Sequence, residues 1–214
     1  MERIIVLFIS CLFSFCVFAQ RTEVIINKVN YVVSYNEVHE QPNWVIYVVK
    51  RKPNTVSRKG MNFYKESGIQ TSDSDDYYNN IWDKGHLAPA ADFSDTEESL
   101  KSTFSYLNCS LQHENLNRGQ WKILENKVRK WADSIGPLKV IDELEFKKDH
   151  IILDTGGHVP NGFTKHIIFP DNNFKCFYYK NEKSDSWENA EIKCGTNHQK
   201  NLMFLLENSL EKLK

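Results

Sequence analysis

A surplus of charge of either sign is what this sequence lacks: 27 lysines and arginines stand against 28 aspartates and glutamates, a formal net charge of -1. No overall field therefore draws the chain toward a polyanion, and a nucleic-acid partner has to meet a local basic surface. Also missing are a Gly/Ser linker, an internal repeat and a low-complexity tract, so no internal domain boundary is placed. Cysteine is sparse, and no pair has the spacing of a zinc ribbon, which argues against structural zinc. The acidic turn Asp73-Ser74-Asp75-Asp76 lacks the glycine and closing glutamate of a calcium loop.

What is present begins with an apolar run from Ile4 to Phe18, preceded by Glu2 and Arg3 and followed by the small Ala19. It reads as a signal peptide over residues 1–19, which leaves 20–214 as one domain with a core of its own. The expected protein is exported, periplasmic or secreted, and not held in a membrane after processing. Of the cysteines beyond that run, Cys176 and Cys194 flank late strand-like segments and are expected to bridge. Cys109, inside an apolar run, is expected to be a buried free thiol.

Along the chain, Thr22–Val29 and Tyr31–Tyr35 are β-branched and aromatic and read as strands. Gln41-Pro42-Asn43 reads as a breaker, and Trp44–Val49, apolar throughout, as a strand buried on both faces. Ser94 and Glu97 have the spacing of a capping box before a short helix. Phe104–Leu111 reads as a strand. From Asn117 to Ser134, Trp121, Leu124, Val128 and Trp131 form one apolar stripe of a helix that Gly136-Pro137 ends. Further strands are expected at Lys139–Ile141, His150–Leu153, His166–Phe169 and Phe174–Tyr179, with a closing helix over His198–Lys212. This is an α+β layout, a mixed or antiparallel central sheet flanked by helices.

Two segments carry candidate chemistry. Asp83-Lys84-Gly85-His86 offers an imidazole that titrates near neutrality, suited to a general base. The helix from Asn117 offers oxygen ligands: on one continuous α-helix, Asn117 and Glu125 lie within roughly 80° of each other and ~12 Å apart along the axis. They cannot both bind one ion directly, but one could bind it while the other holds its waters, an arrangement that suits Mg²⁺. Taken singly, Asn117 is an ordinary N-cap, Glu125 a solvated helix residue and His86 a loop histidine.

Together these segments resemble the DNA/RNA non-specific endonucleases of the ββα-metal type, endonuclease G among them. Asp83-Lys84-Gly85-His86, continued by Leu87-Ala88-Pro89, is similar to the family's Asp-Arg-Gly-His signature. Asn108-Cys109-Ser110-Leu111-Gln112 resembles Asn-x-Ser-Pro-Gln, and Leu116-Asn117-Arg118-Gly119 with Trp121 and Glu125 resembles the metal-binding helix. The resemblance implies His86 as general base, Asn117 as ligand of a hydrated Mg²⁺ (Mn²⁺ substituting) and Glu125 as the group that orders the metal's waters. It implies a phosphate contact for Lys84, support of the site by Asp83, Gly85 and Asn108, and substrate contacts for Arg58 and Arg118. DNA and RNA are the implied substrates, with a homodimer compatible. Lys84 stands where the family carries arginine, which keeps the charge and loses the bidentate fork.

Two other classes compete. One is a zinc-dependent hydrolase built on His86 with His113, His158 or Asp92, although no pair has the spacing of a helical ligand set. The other is an exported, non-catalytic nucleic-acid-binding protein.

Overall fold

The computed structural model describes residues 20–50, 55–184 and 186–210. Its strands are β1 (Val24–Asn27), β2 (Tyr31–Asn36), β3 (Gln41–Val49), β4 (Trp82–His86), β5 (Cys109–His113), β6 (Leu138–Glu145), β7 (Gly162–Ile168), β8 (Phe174–Lys180) and β9 (Glu191–Ile192). The helices are α1 (Glu97–Ser102), the single turn α2 (Glu114–Leu116), α3 (Lys122–Ile135) and α4 (Thr196–Leu210). Seven strands form one antiparallel sheet in the order β1-β2-β3-β6-β7-β8-β9, while β4 and β5 pair separately. The expected α+β class is observed, with its sheet antiparallel.

Side chains alternate across a strand, and the sheet uses both of its faces. Val45, Tyr47 and Val49 of β3 join Val33, Val140, Phe163, Ile167 and Phe177 in the larger core, which α3 closes with Leu124, Val128 and Ala132 beside Trp121. Ile46, Ile141 and Ile168 point the other way and are covered by Leu202 and Leu206 of α4. Hence Trp44–Val49 reads as an unbroken apolar run: there is a helix over each face of its sheet. Cys176 and Cys194 form a disulfide with Cα atoms 5.6 Å apart, and Cys109 is a buried free thiol.

Several local expectations change. Pro42 does not break β3. It sits opposite Tyr35 where the β2–β3 register shifts, and a proline without a donor is tolerated at such a bulge. Thr96, and not Ser94, caps α1, its hydroxyl accepting from the Ser99 amide at 3.1 Å. Of Phe104–Leu111 only Cys109–Leu111 is strand, the start of β5, and a 3-10 turn at Tyr106–Asn108 precedes it. His150–Leu153 contributes a single bridge, Ile152 to His158. The helix expected from Asn117 is interrupted: Asn117–Trp121 is a wide π-type turn with Gly119 at φ -103°, ψ -113°, and α3 begins at Lys122. The apolar stripe survives this, and the geometry projected from Asn117 to Glu125 does not. Residues 1–19 and 211–214 lie outside the described residues, among them the apolar leader and the end of the closing helix. No helix of the described residues is long and apolar enough to cross a membrane.

Candidate active site

Strand β4, strand β5 and the turn into α3 follow one another as a ββα unit against the edge of the main core. β4 and β5 pair from Trp82–His113 to His86–Cys109, so Lys84 and His86 project from the same side of β4. Gly85 lies between them because nothing larger fits. A Cβ there would come within 2.6 Å of the Cβ of Gln112. Asn108 fastens the chain just after His86: its side-chain amide donates to Ala88 O at 2.8 Å and Thr103 O at 3.0 Å, and its Oδ1 accepts from Ala88 N at 2.8 Å.

Asp83 reaches across to the wide turn. Its Oδ2 accepts from Asn117 Nδ2 at 2.8 Å, and its carboxylate takes both arms of Arg118, at 2.8 and 2.6 Å. Because only the amide nitrogen can donate to a carboxylate, the contact fixes the flip of Asn117 and reserves its Oδ1 as an acceptor. Arg118 also meets Glu114 at 3.1 Å, so its guanidinium is held at the rim by two carboxylates. Through these contacts Asp83 joins strand β4 to the turn before α3.

A cavity of about 550 Å³ opens over this unit, lined by His86, Asn117 and Glu125 together with Arg58, Lys84, Arg118, Lys122 and Arg129. Five cations against one carboxylate make it basic on a chain of net charge -1. The His86 ring lies 4.9 Å from Phe63 and 5.0 Å from Phe104, centroid to centroid, and its Nε2 is buried without a hydrogen-bond partner among the described residues. Burial, then the charge of Arg58, lowers the His86 pKa to about 4, so the imidazole is a neutral acceptor. The Lys84 ammonium sits 5.5 Å from the Tyr77 and Tyr106 rings and 5.8 Å from Phe63.

Glu125 shows the opposite displacement. Burial raises its pKa to about 7, with Asp92 and Asp142 adding to the rise while Lys165 and Arg129 oppose it. Beneath it lies a layer that single-residue reading missed. Lys165 donates to Asp142 at 2.7 and 2.6 Å and to Tyr47 at 2.9 Å, and sits 4.2 Å over the Trp121 ring. Arg129 pairs with Asp92 at 2.8 Å. The legible signal was spacing: Lys122, Glu125 and Arg129 fall on one face of α3.

A hard divalent cation fits this donor set. The reserved Asn117 Oδ1, with Glu125 on the same cavity wall, offers oxygen and no sulfur or imidazole cluster. The zinc alternative does not assemble. His113 caps the Asn115 amide, His158 lies with His39 and His150, and Asp92 is taken by Arg129, so none joins His86.

A family model described as DNA/RNA non-specific endonuclease matches residues 15–205. Among curated proteins, the mitochondrial nuclease EXOG of Danio rerio is 29% identical over 117 residues, 52% of this chain and 34% of that one. The mitochondrial nuclease of Saccharomyces cerevisiae is 28% identical over 108 residues, 46% of this chain and 32% of that one. The chain thus spans about a third of the length of these relatives. A solved complex of EndoG with EndoGI superposes with a TM-score of 0.71 at 22% identity, covering 79% of this chain and 80% of that one, and so shares the fold. The expectation of an exported, periplasmic or secreted protein is corrected by these relatives, which are named as mitochondrial nucleases. An apolar run at an N-terminus reports hydrophobicity and not an address. With the family model matched over residues 15–205, the chain belongs to the DNA/RNA non-specific endonuclease family.

Proposed function

We propose that this chain is a metal-dependent endonuclease that hydrolyses phosphodiester bonds of DNA and RNA with little sequence preference. The observation that carries this reading is the Asp83 clasp, which sets Asn117 Oδ1 as a free acceptor in the same basic cavity as the unpaired Nε2 of His86. His86 takes the proton of a water as that water's oxygen bonds to phosphorus and the bond from phosphorus to the 3′ oxygen breaks. The expected ends are a 5′-phosphate and a 3′-hydroxyl, the departing 3′ oxygen taking its proton from solvent water. A pKa of about 4 keeps His86 unprotonated before substrate arrives. A phosphate beside Arg58 then cancels that cation's push and strengthens the imidazole as a base. Lys84, Arg58 and Arg118 meet phosphate oxygens, contacts that position the strand without reading bases.

Asn117 would hold a hydrated Mg²⁺ and Glu125 would order its waters. When bound, the ion supplies positive charge against the phosphate oxygens. Glu125 is suited to this by its raised pKa, since a nearby dication favours the carboxylate that burial disfavours.

The test is nicking of supercoiled plasmid and degradation of RNA by purified protein with Mg²⁺, beside His86→Ala and Asn117→Ala. Nicking that is lost on chelation, restored by Mg²⁺ and abolished in both variants is the expected result. Equal activity in wild type and His86→Ala, or inert wild type that still binds DNA, overturns it.

A further inference from the structure

We propose that His39, His150 and His158 form a second metal site, for a late first-row divalent cation of the zinc class. None of the three lines the cavity described above, and the inference does not depend on the nuclease reading.

The site is assembled from two remote pieces of chain. His150 and His158 face each other across a small hairpin closed by Leu153 N to Gly157 O at 2.9 Å and Val159 N to Ile151 O at 2.8 Å. Gly156 makes its turn at φ +110°, a conformation that favours glycine. Asp76 pins the turn through Thr155 Oγ1 at 2.6 Å and Gly157 N at 3.2 Å. His39 arrives on the β2–β3 turn, and its carbonyl accepts from His158 N at 3.0 Å. The imidazole of each thus comes from a segment anchored by its own backbone.

The rings converge. Centroids are 4.8 Å apart for His39–His158 and His150–His158 and 5.4 Å for His39–His150, and one nitrogen from each lies within 4.8 Å of the others. Three nitrogens at tetrahedral Zn–N lengths stand about 3.4 Å apart, so shifts of about an ångström bring them into place. His150 Nδ1 donates to Lys147 O at 2.6 Å, which leaves its Nε2 as a lone pair aimed at His158 Nδ1, 2.6 Å away. That carbonyl contact is the kind that orients a metal-bound imidazole. Phe146, 4.3 Å from the His39 ring, walls one side. Asn36 Nδ2 donates to His39 Nδ1 at 3.2 Å, which fixes the ring and leaves its Nε2 as the nitrogen that would meet the ion. Imidazoles without a carboxylate suit zinc, copper or nickel in preference to Mg²⁺. With three protein ligands the fourth position falls to water.

The experiment is titration of the full chain with Zn²⁺ against a chromogenic chelator, with thermal melts run in parallel. The variants are His158→Gln, His39→Gln and His198→Gln, the last disrupting the separate Glu143–His166–His198 group. Wild type and His198→Gln are expected to bind one Zn²⁺ per chain and to melt higher with it. His158→Gln and His39→Gln should lose affinity by more than the roughly 10–100-fold that an outer-shell partner costs, with zinc-free melts near wild type. Absence of binding by wild type, or equal binding by His158→Gln and His39→Gln, overturns the site. So does loss of binding in His198→Gln alone.

Discussion

Two layers of the molecule hold polar groups and treat them in opposite ways. In the lower layer, the Lys165 ammonium, the Asp142 carboxylate and the Tyr47 hydroxyl satisfy one another, with Lys165 only 1% exposed and Asp142 0%. In the cavity above, His86 keeps a buried nitrogen without a partner and Glu125 is held away from its ordinary charge state. A satisfied buried pair keeps a structure in register, whereas an unsatisfied group stores unfavourable free energy that a ligand can relieve. The contrast separates groups that hold this fold from groups left available to a substrate.

The sharpest way to break that contrast is at its two ends. His86→Ala should lower kcat for plasmid cleavage by ~10²–10⁴-fold, the range for a positioned general base, while its melting temperature stays at or slightly above wild type. Lys165→Met should do the reverse. Stranding Asp142 costs ~3–5 kcal/mol of stability in urea unfolding, and adding Asp142→Leu should recover most of it. A large stability loss in His86→Ala, or none in Lys165→Met, would erase the distinction.

Smaller effects sharpen it by pH. Glu125 has a folded pKa raised from 4.5 to about 7. The folded state therefore binds more protons than the unfolded one between those values, and stability falls as pH rises through the window. Glu125→Gln should stabilise the metal-free protein by ~1–3 kcal/mol at pH 8 and have little effect at pH 4. His86 runs the other way. Its folded pKa is depressed from 6.5 to about 4, so its contribution is lost as pH falls through that range, and His86→Ala should flatten the acid limb of a pH–melting curve. Of similar size to the Glu125 effect is Gly85→Ala, where crowding against Gln112 should cost ~1–3 kcal/mol and reduce activity by displacing β4.

Much of the upper layer was legible in the chain. Three short segments resembling one family hold His86, Lys84, Asn117, Glu125 and Arg118, and these line one cavity together with Arg58, which lies outside them. The apolar stripe of Trp121, Leu124 and Val128 reported the buried face of α3, because helical period survives any context. What escaped was tertiary. Nothing local says that Asp83 will grip Asn117 across 34 positions, or that His39 will meet His158. The interruption at Gly119 was hidden because a glycine in an otherwise periodic run is compatible with an unbroken helix. Pro42 misled for the converse reason: a bulge makes room for a residue that an even ladder would refuse.

That interruption has a mechanical consequence. Asn117 answers to β4 through Asp83, whereas Glu125 answers to the sheet through the neighbours it shares α3 with, Leu124 and Val128. The wide turn acts as a clutch between the two. One residue inserted between Trp121 and Glu125 would swing Glu125 by about 100° around α3 and leave Asn117 where its strand holds it. The two halves of the donor set can therefore drift apart or be retuned separately, each on its own bearing.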